Sequence, residues 1–258
     1  MVVFFKWAFK SFQRSLAYRL EYFVSLFNAL LYMFIFTSIW NALMPEYGSR
    51  FGMTRQLMIN YAVYVTLIKT TLAKTRDMIG TRVRTGEIAL DLMKPISLPM
   101  MTLADAVGSV FFQIFSRSLP LLIICILMFD ITLPPGIDIY FFINYILAFL
   151  IFHSIMFIFG VASFYITENF PLWILNSACV SLLSGSIIPL EILPDLARKI
   201  ALWTPYPYIF YLPTMKLLRN EYPVDHPFLG QIFFLLVTYS IGFAIYHFGK
   251  RKLQIQGG

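Results

Sequence analysis

Long uncharged runs alternate with short charged intervals along this chain, and that rhythm predicts helices that cross a bilayer. Residues 22–45 carry no charge, and as a helix they are long enough to cross a hydrocarbon core of roughly 30 Å. The same pattern recurs, which gives predicted spans at residues 20–45, 55–73, 100–129, 139–167, 169–189 and 227–249. The fourth is uncharged throughout and can cross with tilt to spare. The third is interrupted by Asp105, Arg117 and Pro120. The expected fold is all-α: a single polytopic domain, residues 1–258, with six membrane helices.

Three other stretches have a different pattern. In residues 1–19, Phe5, Phe9, Phe12 and Leu16 recur at helical spacing on one face, with Lys6, Lys10 and Arg14 on another. This helix is too charged to span and is expected to lie in the headgroup plane, aromatic face down. The second stretch is GTRVRTGEIALDLMKPISLP, residues 80–99. Gly80 and Gly86 should interrupt a helix. Glu87 to Met93 should form a short one, with Ile88 and Leu92 four apart on one face, and Pro95 and Pro99 close it. The third is SGSIIPLEILPDLARKIALWTPYPYIFYLP, residues 184–213. There Pro194 and Asp195 suit the first turn of a helix, with Arg198 and Lys199 near its other end. Leu193, Leu196, Ile200 and Trp203 share its apolar spacing, and Thr204 and Pro205 end it. A re-entrant helical hairpin set in an aromatic belt is the expectation.

Composition fixes the class. The chain is 59% hydrophobic and 13% charged, with 27 phenylalanines, whereas soluble domains carry about 25% charged residues. The net charge of +7 reads as loop bias in a membrane protein rather than as affinity for nucleic acid. Cys125 and Cys179 fall in apolar stretches and read as buried hydrophobes, not a disulfide framework. No cleavable leader pattern is evident. Lys6, Lys10, Arg14, Arg19, Lys74, Arg76, Arg82, Arg84, Lys94, Lys250, Arg251 and Lys252 fall on one side of a six-span topology. Only Arg50, Arg55, Arg198, Lys199, Lys216 and Arg219 fall on the other. The positive-inside rule then places both termini and residues 80–99 in the cytoplasm.

The chain lacks the inventory of an enzyme. His153, His226 and His247 are scattered, and there is no HExxH, CxxC, GxSxG or phosphate-cradling GxxxxGK[ST] motif. No catalytic, cofactor or metal residue is expected. His153 is expected to bond across the helix bundle. Arg117 lies ~18 Å from residue 129 along a helix rising 1.5 Å per residue, where an unpaired arginine costs about 2.5–3.5 kcal/mol to insert. It must therefore face protein or a water-filled path. As a pathway residue it would meet an anion or a headgroup; otherwise it pairs with carbonyls in the bundle. Ser181 and Ser184 lie in a small-residue run that permits close helix approach and join Arg117 as candidate pathway residues.

Several of these parts together resemble the membrane subunits of type-2 ABC exporters, most closely the small six-span branch without a fused ATPase. They are the basic amphipathic first helix, the GEIALDLMKPIS run, the SGSIIPLEILPDLARKIALWTPYPY run and the closing LQIQGG. The resemblance covers essentially the whole chain. It implies an assembly of two permeases, identical or related, with two ATPase subunits that carry ATP and Mg, in the bacterial cytoplasmic membrane. In that assembly residues 81–93 would seat in a cleft on the ATPase. Thr81, Arg82, Arg84, Glu87, Asp91 and Lys94 would be the polar contacts, and Ile88 and Leu92 the apolar anchor. Pro189, Glu191, Pro194, Trp203 and Pro205 would shape the extracellular gate, and the second and fifth spans would line the permease dimer and the route. Two other readings compete: a stand-alone secondary transporter or channel, for which Asp105 is the one deep carboxylate, and a non-transporting scaffold or immunity-type protein.

Overall fold

The computed structural model describes residues 2–16, 19–51, 54–72, 78–129, 131, 133–166 and 169–251. Among them all regular structure is helical. Helix α1 (Val2–Leu16) leads into α2 (Arg19–Phe51) and α3 (Arg55–Leu72). Two short helices, α4 (Met78–Arg84) and α5 (Ile88–Leu92), precede a long bent span. That span consists of α6 (Leu98–Gln113), a π-helical turn (Ile114–Ser118) and α7 (Leu119–Phe129). Then come α8 (Ile139–Ala162), α9 (Phe170–Leu183), α10 (Asp195–Leu202), α11 (Tyr211–Arg219) and α12 (Pro227–Gly249). The closing LQIQGG run, Lys74 and Arg76 lie outside the described residues.

Among the described residues, four stretches are long and apolar enough to cross a membrane: Phe23–Leu43, Leu98–Met128, Ile139–Ala162 and Pro227–Gly249. The sequence also predicted spans at α3 and α9, and both are helical. However, α3 has 18 residues with Arg55 and Lys69 among them, and α9 has only 14. Helix α3 owes its place to protein neighbours rather than to lipid. It packs against α2, α11 and the bent span, and nearly every side chain from Met58 to Leu72 is buried, including Tyr61 and Tyr64. A segment of modest hydrophobicity can sit there because its polar groups meet other helices.

The third predicted span is continuous, but it is not a plain α-helix. Pro120 has no amide hydrogen and its ring crowds the carbonyl four residues back, that of Ser116. The chain widens into a π turn over Ile114–Ser118, and this turn relieves the crowding, as such turns commonly do in long helices. Arg117 lies inside it.

The main helix pair is α8 with α12, and polar side chains join the two in rungs. Asn144 donates to Gln231 Oε1 at 3.1 Å, and Gln231 Nε2 donates back to the Asn144 carbonyl at 3.0 Å. One level on, Ser154 and Thr238 share a hydrogen bond of 2.5 Å, and His153 Nδ1 lies 2.9 Å from the Tyr239 hydroxyl. His153 is thus a packing residue. Pairs of this kind contribute modestly in membranes, on the order of 0.6 kcal/mol each, but they fix register.

Helix α1 lies along α6. Its Phe5, Phe9 and Leu16 remain exposed, as an interfacial aromatic face should, while Phe12 turns inward to meet Phe112 edge-on at 5.9 Å. The face against α6 consists of small residues that periodicity alone does not single out. Ala8 and Ser11 are buried, and Ser11 Oγ donates to the Asp105 carbonyl at 3.0 Å. Arg14 Nη2 reaches Asp105 Oδ1 at 2.9 Å.

Candidate functional site

Helices α4 and α5 form one seated unit. Gly86 takes φ +77°, a left-handed conformation open to glycine at little cost, and this reverses the chain between them. Gly80, expected to break a helix, instead lies inside α4. A glycine there costs about 1 kcal/mol, and burial of the adjacent Ile79 offsets it. Ile79 and Ile88 join Leu98 and Met101 of α6 and Phe157, Val161 and Phe164 from the end of α8 in one apolar cluster, with Trp7 of α1 packed against it.

Charge holds the same unit. Asp91 is buried and lies 2.6 Å from both Arg82 Nη1 and Lys94 Nζ, and Lys94 also stands 4.7 Å over the Trp7 ring. The anchor and polar contacts expected from the sequence therefore divide into two sets. Ile88, 1% exposed, together with Asp91 and Arg82, faces the protein's own core. Thr81, Arg84, Glu87 and Leu92 face outward. So do Leu90 and Met93, at 64% and 82% exposure, neither of which had been assigned a role. Ile88 and Leu92 do lie four apart, but the rim of the seat passes between them. Leu90, Leu92 and Met93 leave the outward side of α5 apolar.

Arg117 lies elsewhere. It is buried, donates to Gln113 Oε1 at 3.1 Å, and lines a cavity of about 260 Å³ between α2, α3 and the bent span, with Lys69 on the α3 wall. Ser118 of the same π turn lies 3.0 Å from Thr70 of α3. Ser181 and Ser184 do not line this cavity. Ser184 is fully buried at the end of α9, where its hydroxyl accepts from the Ser186 amide at 3.1 Å and donates to the Val180 carbonyl. The three candidate pathway residues thus do not form one site within the chain. Gly185, at φ +73°, gives its carbonyl to the Tyr61 hydroxyl at 2.6 Å.

At the end of α8 opposite α4 and α5 lies α11, and α10 before it packs on α9. Pro194 caps α10 from just outside rather than within its first turn. On α10 the apolar Leu196, Ile200 and the following Trp203 (85% exposed) are all exposed, as suits a helix resting on lipid. Pro189 is buried, and Glu191 lies 3.9 Å from Arg219. Pro205 is half-buried in the turn. Helix α11, which the sequence did not reveal, enters the bundle between α3 and α8 and is buried from Tyr211 to Leu218. Its Lys216 meets Asp138 at 2.8 Å and Asn220 Oδ1 at 2.7 Å. Asp138 also caps α8 by accepting from the Phe141 amide at 2.8 Å.

The Lys216 hydrogen bond, with help from the Phe141 amide, holds the Asp138 carboxyl below its ordinary range against the opposing desolvation. A depressed carboxylate pKa stabilises the fold above the unfolded value near 4, and that stability is lost as pH falls through the folded pKa. Asp138→Asn should therefore flatten the acid limb of a melting-temperature profile below about pH 4. A variant with the wild-type acid slope would show that the Lys216 contact is not formed in solution.

Residues 26–257 match the family described as ABC-2 family transporter protein. This chain belongs to the ABC-2 transporter family. The match takes in helices α4 and α5, every lining residue of the cavity but Ser25, and helices α10 and α11. No curated protein matches the chain. Membership makes it a multi-pass component of a membrane transporter, an ABC-type permease that works with an ATPase component. Such a component is generally not itself catalytic.

Proposed function

We propose that this chain is the permease subunit of an ATP-driven exporter and that the α4–α5 unit is its coupling element. The observation that carries this reading is the exposed Leu90, Leu92 and Met93 patch on a helix whose opposite face is fixed to the bundle by Ile88 and Asp91. A docking element needs both features: apolar side chains left for a partner and a rigid seat that transmits displacement. The seat runs to α6, α8 and α1, so ATPase closure would move those helices first.

In the fuller proposal α3 and α9 join the four long apolar stretches to make six spans in all, both termini face the cytoplasm of a bacterial cell, and α10 and α11 form the extracellular gate. Two such permeases, identical or related, would enclose the route, driven by two ATPases that hold ATP and Mg. The largely exposed sides of α9, including Leu175 and Leu182, favour a second membrane subunit. The pairing of Asp105 with Arg14 takes from the secondary-transporter reading the deep carboxylate on which it depends.

Leu90→Asp and Met93→Asp should each cut the amount of ABC ATPase co-purified from native membranes by about tenfold, the loss expected for a central apolar contact worth about 1.4 kcal/mol. Membrane insertion and melting temperature should not change. Wild-type recovery of the ATPase with both variants, or none with the unsubstituted chain, would remove α5 as the docking helix.

A further inference from the structure

The cavity beside Arg117 has a chemistry that the coupling reading does not use. Lys69 and Arg117 both line it, from α3 and from the π turn, and none of its described lining residues is a carboxylate. Lys69 lies 5.8 Å from the Tyr32 ring, its one described contact. A second observation comes from the hydroxyls. Thr70 and Thr71 of α3 donate to the carbonyls of Leu67 and Ile68 at 2.8 and 2.7 Å, the usual arrangement for a threonine within a helix. Thr66, one turn before Thr70 and only 5% exposed, makes no such bond; its Oγ1 is buried without a partner in the cavity wall. The Tyr32 hydroxyl, on the α2 wall, is also without one.

A buried hydroxyl left unpaired costs about 1–3 kcal/mol. A lysine held inside a bundle away from any carboxylate is likewise expensive, and such residues mark binding sites in membrane proteins. Both costs are relieved by the same ligand: an anion with several acceptor oxygens. The volume of about 260 Å³ would hold roughly eight waters at about 30 Å³ each, which is more than a bare phosphate needs. The site lies along the first half of α2 and the last half of α3, so it belongs to the membrane half that faces α1 and α4. Leu26, Ala29 and Leu121 add apolar lining.

We infer that this cavity binds a phosphoester group, with Lys69 and Thr66 as its principal ligands and Arg117, held by Gln113, as the neighbouring cation. Basic pockets between membrane helices take lipid headgroups by this chemistry, and the apolar lining suits a group that carries acyl chains. The site does not rest on the permease reading and is tested on the full chain without any ATPase.

The experiment measures lipid retained by the purified full chain in neutral detergent, by native mass spectrometry, after equilibration with phosphatidylglycerol or phosphatidylcholine. A parallel arm titrates inorganic phosphate by calorimetry. The chain should retain phosphatidylglycerol in preference to phosphatidylcholine. Lys69→Met and the near-isosteric Thr66→Val should each weaken that retention about tenfold, the size of one charge-assisted hydrogen bond, and Lys69→Arg should preserve it. Phosphate heat that disappears in Lys69→Met would support the same site with a soluble ligand in place of a lipid. Equal retention of both lipids with no phosphate heat would overturn the proposal. So would folded Lys69→Met and Thr66→Val variants that keep wild-type retention.

Discussion

Replacing Asp91 by alanine should free the α4–α5 unit from the bundle while the long membrane helices stay in place. Asp91 is the one described carboxylate between Arg82 and Lys94, at 2.6 Å from each. Both cations are held close to the apolar cluster that contains Ile88. Removing one member of a buried pair commonly costs 3–5 kcal/mol, because the remaining charge stays desolvated. Lys94 is about a third exposed and can turn to water, whereas Arg82 is mostly covered, so about 2–3 kcal/mol is the reasonable loss. That is enough to open a short unit locally without global unfolding. Amide exchange across residues 78–94 should therefore accelerate about thirtyfold or more, with the α8 and α12 amides unchanged. ATPase recovery should fall with it, though Leu90, Leu92 and Met93 are untouched. Unchanged exchange in this window would mean that the apolar cluster alone holds the unit.

Gly108→Leu should displace α1 from α6. A Cβ at position 108 would sit 2.1 Å from the Ala8 carbonyl oxygen, so even alanine requires the two backbones to separate and leucine requires far more. Separation removes the Ser11 hydrogen bond and the Arg14 ion pair together, leaving Asp105 buried with no cation beside it. Overpacking costs about 1–3 kcal/mol, and stranding a buried carboxylate adds to it. For a domain of this size the melting temperature should fall by about 8 °C or more. Asp105→Asn should relieve part of the loss in the Gly108→Leu background, since the stranded charge is then gone. If Gly108→Leu melts as the unsubstituted chain does, the close approach of α1 is not maintained in the membrane.

These two cases show how much of the molecule could be read in advance. Helix α1 was legible because phenylalanines and basic residues alternate at helical spacing. Its contact face was not, because Ala8, Ser11 and Gly108 carry little hydrophobic signal; they matter by being small. The segment from Glu87 to Met93, between Gly86 and Pro95, was legible as a short helix, and the structure has one at Ile88–Leu92. Its inward face was assigned to a partner, since Ile88, Leu90, Leu92 and Met93 are all apolar and a five-residue helix has no clear amphipathic stripe. Helix α11 was hidden by a different effect. Lys216 and Arg219 gave its segment the look of a surface loop, and among the described residues it is the distant Asp138 and Glu191 that neutralise them.

The sequence by itself determined the class of this protein, its division into apolar helices and charged intervals, the interval that stands out for coupling and the resemblance to its family. Those properties follow from local composition, because a bilayer demands long apolar runs and sorts basic residues to one side. The tertiary structure alone decided which face of each short helix is spent on the fold. It also decided that α3 is enclosed by protein, and that Lys69 and Arg117, 48 positions apart, share one cavity. Lipid and protein interior are equally apolar, so hydrophobicity cannot tell a side chain's partner; only the contacts between helices can.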